Sequence, residues 1–444
     1  MINNKFFEYI LTALLFCIFL YYFYYLDKGM LLEKQFSPWD SFYYRQIANS
    51  FLEGEFVSTM YPFNERVLFP FIIFNFVKLF QTNIVFSSFV INLISTFIIV
   101  IIILFSLNFF KVSKISKFFT IIFFLISFIM PLRYSFYYPG NNYAFDILLF
   151  SLIILFTFLQ IEKKSKSLFF FCLFLSIVAT LERGIVIFCM YFFPFIAFII
   201  FKKKITKDLN YKKQIHYFCF YMSASALTLF LLKIFGLNGV GDYNMLTEVI
   251  SSIHFQANIF EFLYKYYYSL GIFFLIIVTF LLLNLKKFLL KVYSFKTIKI
   301  TNLYISVIFL SSIFFSTVGG RGDVDKHLLW FLLPYLTISA ICFDKLFKIP
   351  KFNFKILLLI FIIGLLGARP FTPAWPPIAF SNIFVEKNHV NTNFRDDLFF
   401  GPQLLKKFRN KMTSYTIGKD KIYKNIYDNY HKNLTQNVDI PDGQ

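Results

Sequence analysis

Apolar residues run along this chain in long unbroken blocks, without the alternation of a strand or the single stripe of a soluble helix. The stretch IIVIIILFSLNFF at 98–110 and the stretch FKILLLIFIIGLL at 354–366 have almost no polar face. Crossing a bilayer takes about 20 such residues, each rising about 1.5 Å. Blocks of that order lie at 6–26, 84–110, 117–132, 144–161, 167–181, 184–201, 215–235, 268–285, 301–318, 327–344 and 354–368. The pattern predicts an all-α fold, a polytopic transmembrane bundle of about eleven spans. The segment 67–80 is apolar but short and carries Pro70, so it reads as a re-entrant or interfacial helix, or as the start of a twelfth span. The first block follows a short polar start with Lys5 and precedes no small-residue cleavage site, which predicts an uncleaved signal anchor.

The polar positions between the blocks set the orientation. Lysines crowd into five short loops, at 111–117, 163–166, 202–213, 286–299 and 345–355. With eleven spans and 67–80 not crossing, all five fall on one face together with the N-terminus. That face is cytoplasmic by the positive-inside rule. A twelfth crossing before residue 84 would move the N-terminus outside and leave the loops where they are. The opposite face receives the loop 27–66, the segment 133–142, a short turn at Glu182 and Arg183, the loop 236–267 and a turn at 319–326. These stretches carry acids, arginines, aromatics, Gly and Pro in place of lysine runs, so chemistry is expected there. The chain thus divides into a transmembrane domain, 1–368, and a polar tail, 369–444, on the same outer face. The tail leaves the membrane through a run rich in Pro with Trp375, and a small helical cap is expected around 404–408.

Composition narrows the classes further. A chain that is 58% hydrophobic and only 15% charged cannot hide its apolar surface in one soluble core. Its net charge of +20 would point to nucleic acid in a soluble protein. Here the lysine loops account for it, so membrane lipids are expected as partners and nucleic acid is not. The five cysteines lie singly in apolar stretches, with no paired spacing for a disulfide or a thiolate metal site.

The richest polar stretch is SPWDSFYYRQIA at 37–48, continued by YPFNERVLFP at 61–70. Asp40, Tyr43 or Tyr44, and Ile47 recur at helical spacing, so a short interfacial helix would present a carboxylate and aromatics together. Asp40 follows Trp39 near the headgroup level, where partial desolvation raises carboxylate basicity. Arg45 and Arg66 offer forked donors to phosphate oxygens. Further on, Arg133, Tyr138 and Asn142 form an aromatic and polar group suited to a sugar, with Asp146 entering the next span. The same group also reads as an ordinary Tyr-rich interface. Glu182 and Arg183 have almost no loop between spans, so they are either functional, a structural Glu–Arg pair or a surface turn. A glycine-rich turn at 319–327 brings Arg321, Lys326 and His327, which suit a diphosphate or simply a solvated turn.

The segment 37–48 resembles the first outer loop of the C-type glycosyltransferase superfamily, whose members carry an Asp in a W-D-x-x-Y/W-Y-x-x-I-A setting. Here Trp39, Asp40, Tyr43, Tyr44, Ile47 and Ala48 fill that pattern. The stretch 66–70 is similar to the Y-R-x-L-x-P of bacterial members, with Glu65 standing where they have tyrosine. The resemblance implies a multi-span enzyme of the bacterial inner membrane, its site facing the periplasm or exterior. Such an enzyme would transfer a sugar from a polyprenyl-phosphate donor to a glycan, lipid or protein acceptor, with inversion. Asp40 would be the catalytic base or a metal-associated acid. Asp40 and Glu182 would suit a divalent ion such as Mg2+ or Mn2+, although nothing in the sequence requires one. Two other classes compete. An O-antigen-type polymerase or ligase would want a larger late outer loop than the turn at 319–327. A lipid-glycan flippase or transporter would want charges within spans, where this chain keeps most of them at span ends.

Overall fold

The computed structural model describes residues 8–18, 39–54, 66–82, 84–127, 142–202, 211–234, 266, 270–293, 299–318, 330–347 and 354–366. Arg133, Tyr138, Arg321, Lys326, His327 and the tail 369–444 lie outside the described residues. The chain divides into two units, and the described helices belong to the first, Met1–Phe19 with Leu31–Leu365, apart from Leu366 itself.

Among the described residues the regular structure is helical, without a strand. In order the helices are α1 (Glu8–Ile18), α2 (Trp39–Glu53), α3 (Leu68–Phe80), α4 (Ile84–Phe109), α5 (Lys114–Ser127) and α6 (Tyr143–Lys163). They continue with α7 (Lys166–Ile200), α8 (Tyr211–Ile234), α9 (Ile272–Tyr293), α10 (Ile300–Val318), α11 (Leu332–Leu346) and α12 (Phe354–Leu366). Four stretches are long and apolar enough to cross a membrane: Phe86–Phe109, Tyr143–Lys163, Lys166–Gly184 and Tyr211–Leu232. Several others are apolar but shorter. These are the dimensions of an α-helical membrane protein. In such an interior a hydroxyl needs a partner. Thr96, Thr120, Ser176, Thr180 and Thr228 each donate to the carbonyl four residues back in their own helix.

Side-chain contacts fix the relative directions of α1, α4, α5, α6 and α11. Phe109 and Phe110 pack on Phe158 with ring centres 5.3 and 5.4 Å apart, so α4 and α6 run the same way and finish together. Next to that finish, α5 begins. Its Lys117 pairs with Glu8 of α1 at 3.2 Å and also meets the Asn108 Oδ1. Farther along α1, Phe16 meets Phe97, so α1 runs opposite to α4. On α11, Thr337 bonds Ser106 at 3.0 Å and Asp344 accepts from the Ser116 hydroxyl at 2.8 Å. The start of α5, the ends of α4, α6 and α11, and the charged start of α1 therefore share one end of the bundle, hereafter the lysine end.

Helix α7 holds both apolar blocks expected on either side of Glu182 and Arg183, folded into a hairpin at that turn. The Ser176 and Tyr191 hydroxyls are hydrogen-bonded at 2.8 Å. In a straight helix those residues would sit about 22 Å apart. The chain reverses at Arg183 (φ −137°, ψ 34°) and Gly184 (φ 4°, ψ −95°) with no loop at all. Two antiparallel arms result, and α8 packs along both. Phe169 stacks on Tyr217 at 4.1 Å near the lysine end, and Phe198 meets Phe218 at 5.3 Å. At the tip, a Cβ on Gly184 would lie 2.7 Å from Leu229 Cδ2. Glycine is needed there for the tight reversal and for the approach of α8. We expect Gly184→Val to cost about 2 kcal/mol through overpacking at the tip, and Gly184→Ala less, because Leu229 can swing its methyl away. Thermal unfolding in detergent measures this; a Val variant as stable as the parent would mean the tip is not tightly packed.

The ambiguous segment 67–80 forms α3, whose Phe69, Pro70 and Ile73 are buried and whose Phe71, Leu79 and Phe80 are exposed. Its first turn sits against the α7 tip, far from the lysine end, because the Phe69 amide bonds Glu182. The next helix, α4, starts at Ile84 and reaches the lysine end only after 26 residues. Both ends of α3 therefore lie toward the tip end of the bundle.

Candidate functional site

At the tip of α7, residues of α2, α3 and α6 and Trp330, just before α11, meet around a buried polar cluster. Helix α6 enters it with Asn142 and Asp146, one helical turn apart and both 0% exposed. The α7 tip brings Glu182, also 0% exposed, and Arg183 at 9%. Burial this deep forbids a surface turn, the bland reading of that pair, and demands partners for every charge. Those partners are present. Arg183 Nε donates to Asp146 Oδ2 at 2.6 Å, and the Nη2 of Arg183 meets the same oxygen. The Nη2 also reaches Asn142 Oδ1 at 3.4 Å. Asn142 Nδ2 donates to Asp146 Oδ1 at 3.2 Å and to Glu182 Oε1. Asn142 thus bridges the two carboxylates. The salt partner of Arg183 is Asp146 across the helix pair, not its neighbour Glu182.

The second oxygen of Glu182 reaches the outer loop. Glu182 Oε2 accepts from the Phe69 amide at 3.0 Å, in the first turn of α3. Amides in a first turn have no acceptor within their own helix, and a carboxylate there also complements the helix dipole. Alongside, the Val67 amide donates to the Leu181 carbonyl at 3.0 Å. One residue earlier, Arg66 Nη1 donates to the Tyr44 hydroxyl at 3.4 Å. The Tyr44 ring meets Phe69 edge-on at 5.7 Å, and Phe69 meets Phe145 of α6 at 5.5 Å.

Tyr44 is fully buried, as are Ile47 and Ala48, so the helical stripe expected on α2 is the face that docks. Burial pushes the Tyr44 phenol well above its ordinary value, against the opposing charges of Arg66 and Arg183, and it remains a neutral hydroxyl. Asp40 stands in the first turn of α2, one turn before Tyr44, and Arg45 follows Tyr44 directly. The side chains of Asp40 and Arg45 lie outside the described residues. An aromatic wall closes the other side: the Arg183 guanidinium lies 5.3 Å from the Trp330 ring, which stacks on Phe150 at 5.3 Å.

The structure thus joins Tyr44, Arg66, Asn142, Glu182 and Arg183, which the sequence singled out in three separate stretches. It adds Asp146, Phe69 and Trp330 as their partners. Asp146 had a visible signal, an acid one helical turn after Asn142. Trp330, one of three tryptophans, and the backbone amide of Phe69 carried none. As ligands for a divalent ion these carboxylates fit poorly. The oxygens of Glu182 and Asp146 are engaged by protein donors. Among the described residues no three His, Cys, Asp or Glu side chains come together. Comparison with protein-family models, curated proteins and solved structures returns no match.

Proposed function

We propose that this chain is a membrane glycosyltransferase that moves a sugar from a polyprenyl-phosphate donor to a glycan, lipid or protein acceptor. The observation that carries this reading is the seating of α2. The helix bearing Asp40 in its first turn is locked by Tyr44 and Arg66 onto a charge-balanced cluster at the end of the bundle away from the lysines. A helix that carries an acid in its first turn and is held on a rigid floor suits deprotonation of an acceptor hydroxyl beside the membrane.

The topology supports the same reading. With α3 taken as not crossing and α7 as two arms, α1, α4–α6, the arms of α7 and α8–α12 are assigned as eleven crossings, of which four are by themselves long and apolar enough to span a membrane. Taken as alternating, they leave the N-terminus and all five lysine loops cytoplasmic, and the cluster end periplasmic or exterior in a bacterial inner membrane. No nucleotide-sugar pool exists on that side, so the donor must be lipid-linked.

In the reaction the acceptor oxygen attacks the anomeric carbon as its proton passes to Asp40. The glycosidic C–O bond to phosphate breaks with its electron pair leaving on the polyprenyl phosphate, and the anomeric centre inverts. Arg45, on the helix that bears Asp40, and Arg66, bonded to Tyr44 of that helix, are assigned as cations for the phosphate, with Arg321, Lys326 and His327 from the segment just before Trp330 in the chain. Arg133 and Tyr138, just before Asn142, are assigned to the sugar. Glu182 and Arg183 are assigned to the floor, because both carboxylate oxygens and the Arg183 Nε and Nη2 are already paired within the protein. The test is transfer by the purified protein from a panel of radiolabelled polyprenyl-phosphate sugars. Transfer from one donor supports the reading. Silence across the panel removes it, and brings forward a diphosphate-linked polymerase or ligase, or a lipid-glycan transporter.

A further inference from the structure

Glu182 touches both the floor and the outer segment. One carboxylate oxygen is held by Asn142, which Asp146 and Arg183 hold in turn. The other oxygen holds the Phe69 amide, and the Leu181 carbonyl beside it holds the Val67 amide. The α7 tip therefore grips the segment 67–69 at two points, one residue from Arg66 and directly beneath the Tyr44 ring. Any drift of that segment passes into Tyr44, and from Tyr44 to Asp40 one turn away on the same helix.

We propose that Glu182 is a positioning residue for sugar transfer, setting the placement of Asp40 through the segment 66–69 and Tyr44. This rests on the glycosyltransferase reading. Glu182 itself is fully buried, with both carboxylate oxygens taken by protein donors. A base displaced by about 1 Å costs on the order of 100-fold in rate, so the grip matters far more to turnover than to donor affinity. Its carboxylate is built for the task. A shorter or apolar side chain could not span from Asn142 to an amide in the first turn of α3.

The test compares Glu182→Ala and Glu182→Gln with the full-length parent, using two independent readouts. The first is amide hydrogen exchange. In Glu182→Ala, peptides covering 39–54 and 66–72 should exchange faster while those from α10 keep the parent's protection. In Glu182→Gln, whose amide oxygen can still accept from Phe69, protection should be largely kept. The second is steady-state transfer with the active lipid-linked donor. Glu182→Ala should lose about 100-fold in kcat with KM for the donor little changed, and Glu182→Gln should recover most of the rate. Unchanged exchange at 39–54, or faster exchange across the whole bundle, would overturn the proposal. So would a defect confined to KM. If the parent transfers no sugar at all, the functional reading falls by itself. Exchange at 39–54 then still decides whether Glu182 seats α2.

Discussion

Asp40→Asn is expected to reduce sugar transfer by about 10³-fold, within the range typical of a lost general base. Asparagine keeps the shape and hydrogen-bonding reach of aspartate but cannot take the acceptor's proton. The contacts that dock α2 involve Tyr44, Ile47 and Ala48, none of which the substitution alters. Thermal stability and donor binding should therefore match the parent, and the loss should appear in kcat. Initial rates at saturating lipid-linked donor measure this. A parent-like rate in Asp40→Asn would remove Asp40 as the base while leaving the rest of the reading to be judged on the donor panel. A loss accompanied by a lower unfolding temperature would mean the residue acts on the fold.

The second large effect concerns stability. Arg183→Ala should destabilise the protein by about 3–5 kcal/mol, because it strands the buried Asp146 carboxylate without its cation. Asp146→Ala should cost a similar amount for the mirrored reason. The double variant Asp146→Ala/Arg183→Ala leaves neither charge unpaired, so its loss should fall well short of the sum. Unfolding of the four proteins in one detergent supplies the cycle. Strict additivity would show that the two side chains do not depend on each other, against the forked contact between them.

Much of this was open to a reader of the sequence, for reasons that differ from feature to feature. The helical class follows from the apolar blocks alone, since a backbone in lipid must satisfy itself. The turn at Glu182 and Arg183 was visible as two charges between apolar blocks, and its place between two spans agrees with the hairpin of α7. That it is buried was not visible, because burial depends on which helices cover it. The covering groups, Asp146, Phe69 and Trp330, come from three distant stretches. The docking face of α2 was legible in the spacing of Tyr44 and Ile47, since helical periodicity places them on one side. The course of 67–80 was not, because length and Pro70 fit a short crossing and an interfacial helix equally well. The contact of Phe69 with Glu182, together with the length of α4, places both ends of α3 toward the tip end.

The buried pair of Glu8 and Lys117 bears on how the protein is made. Its members are 109 residues apart in the chain, and Asn108, which also contacts Lys117, is nearly as far from Glu8. At about 5–20 residues per second, translation separates them by roughly 5–20 s. Throughout that interval the first helix has no partner for its carboxylate, which must stay at the water boundary. Insertion of α1 and its docking are therefore separate events, and its final seat exists only once α4 and α5 have emerged. Biogenesis of this bundle passes through a stage in which the earliest segment is already in the membrane yet still waiting for its place.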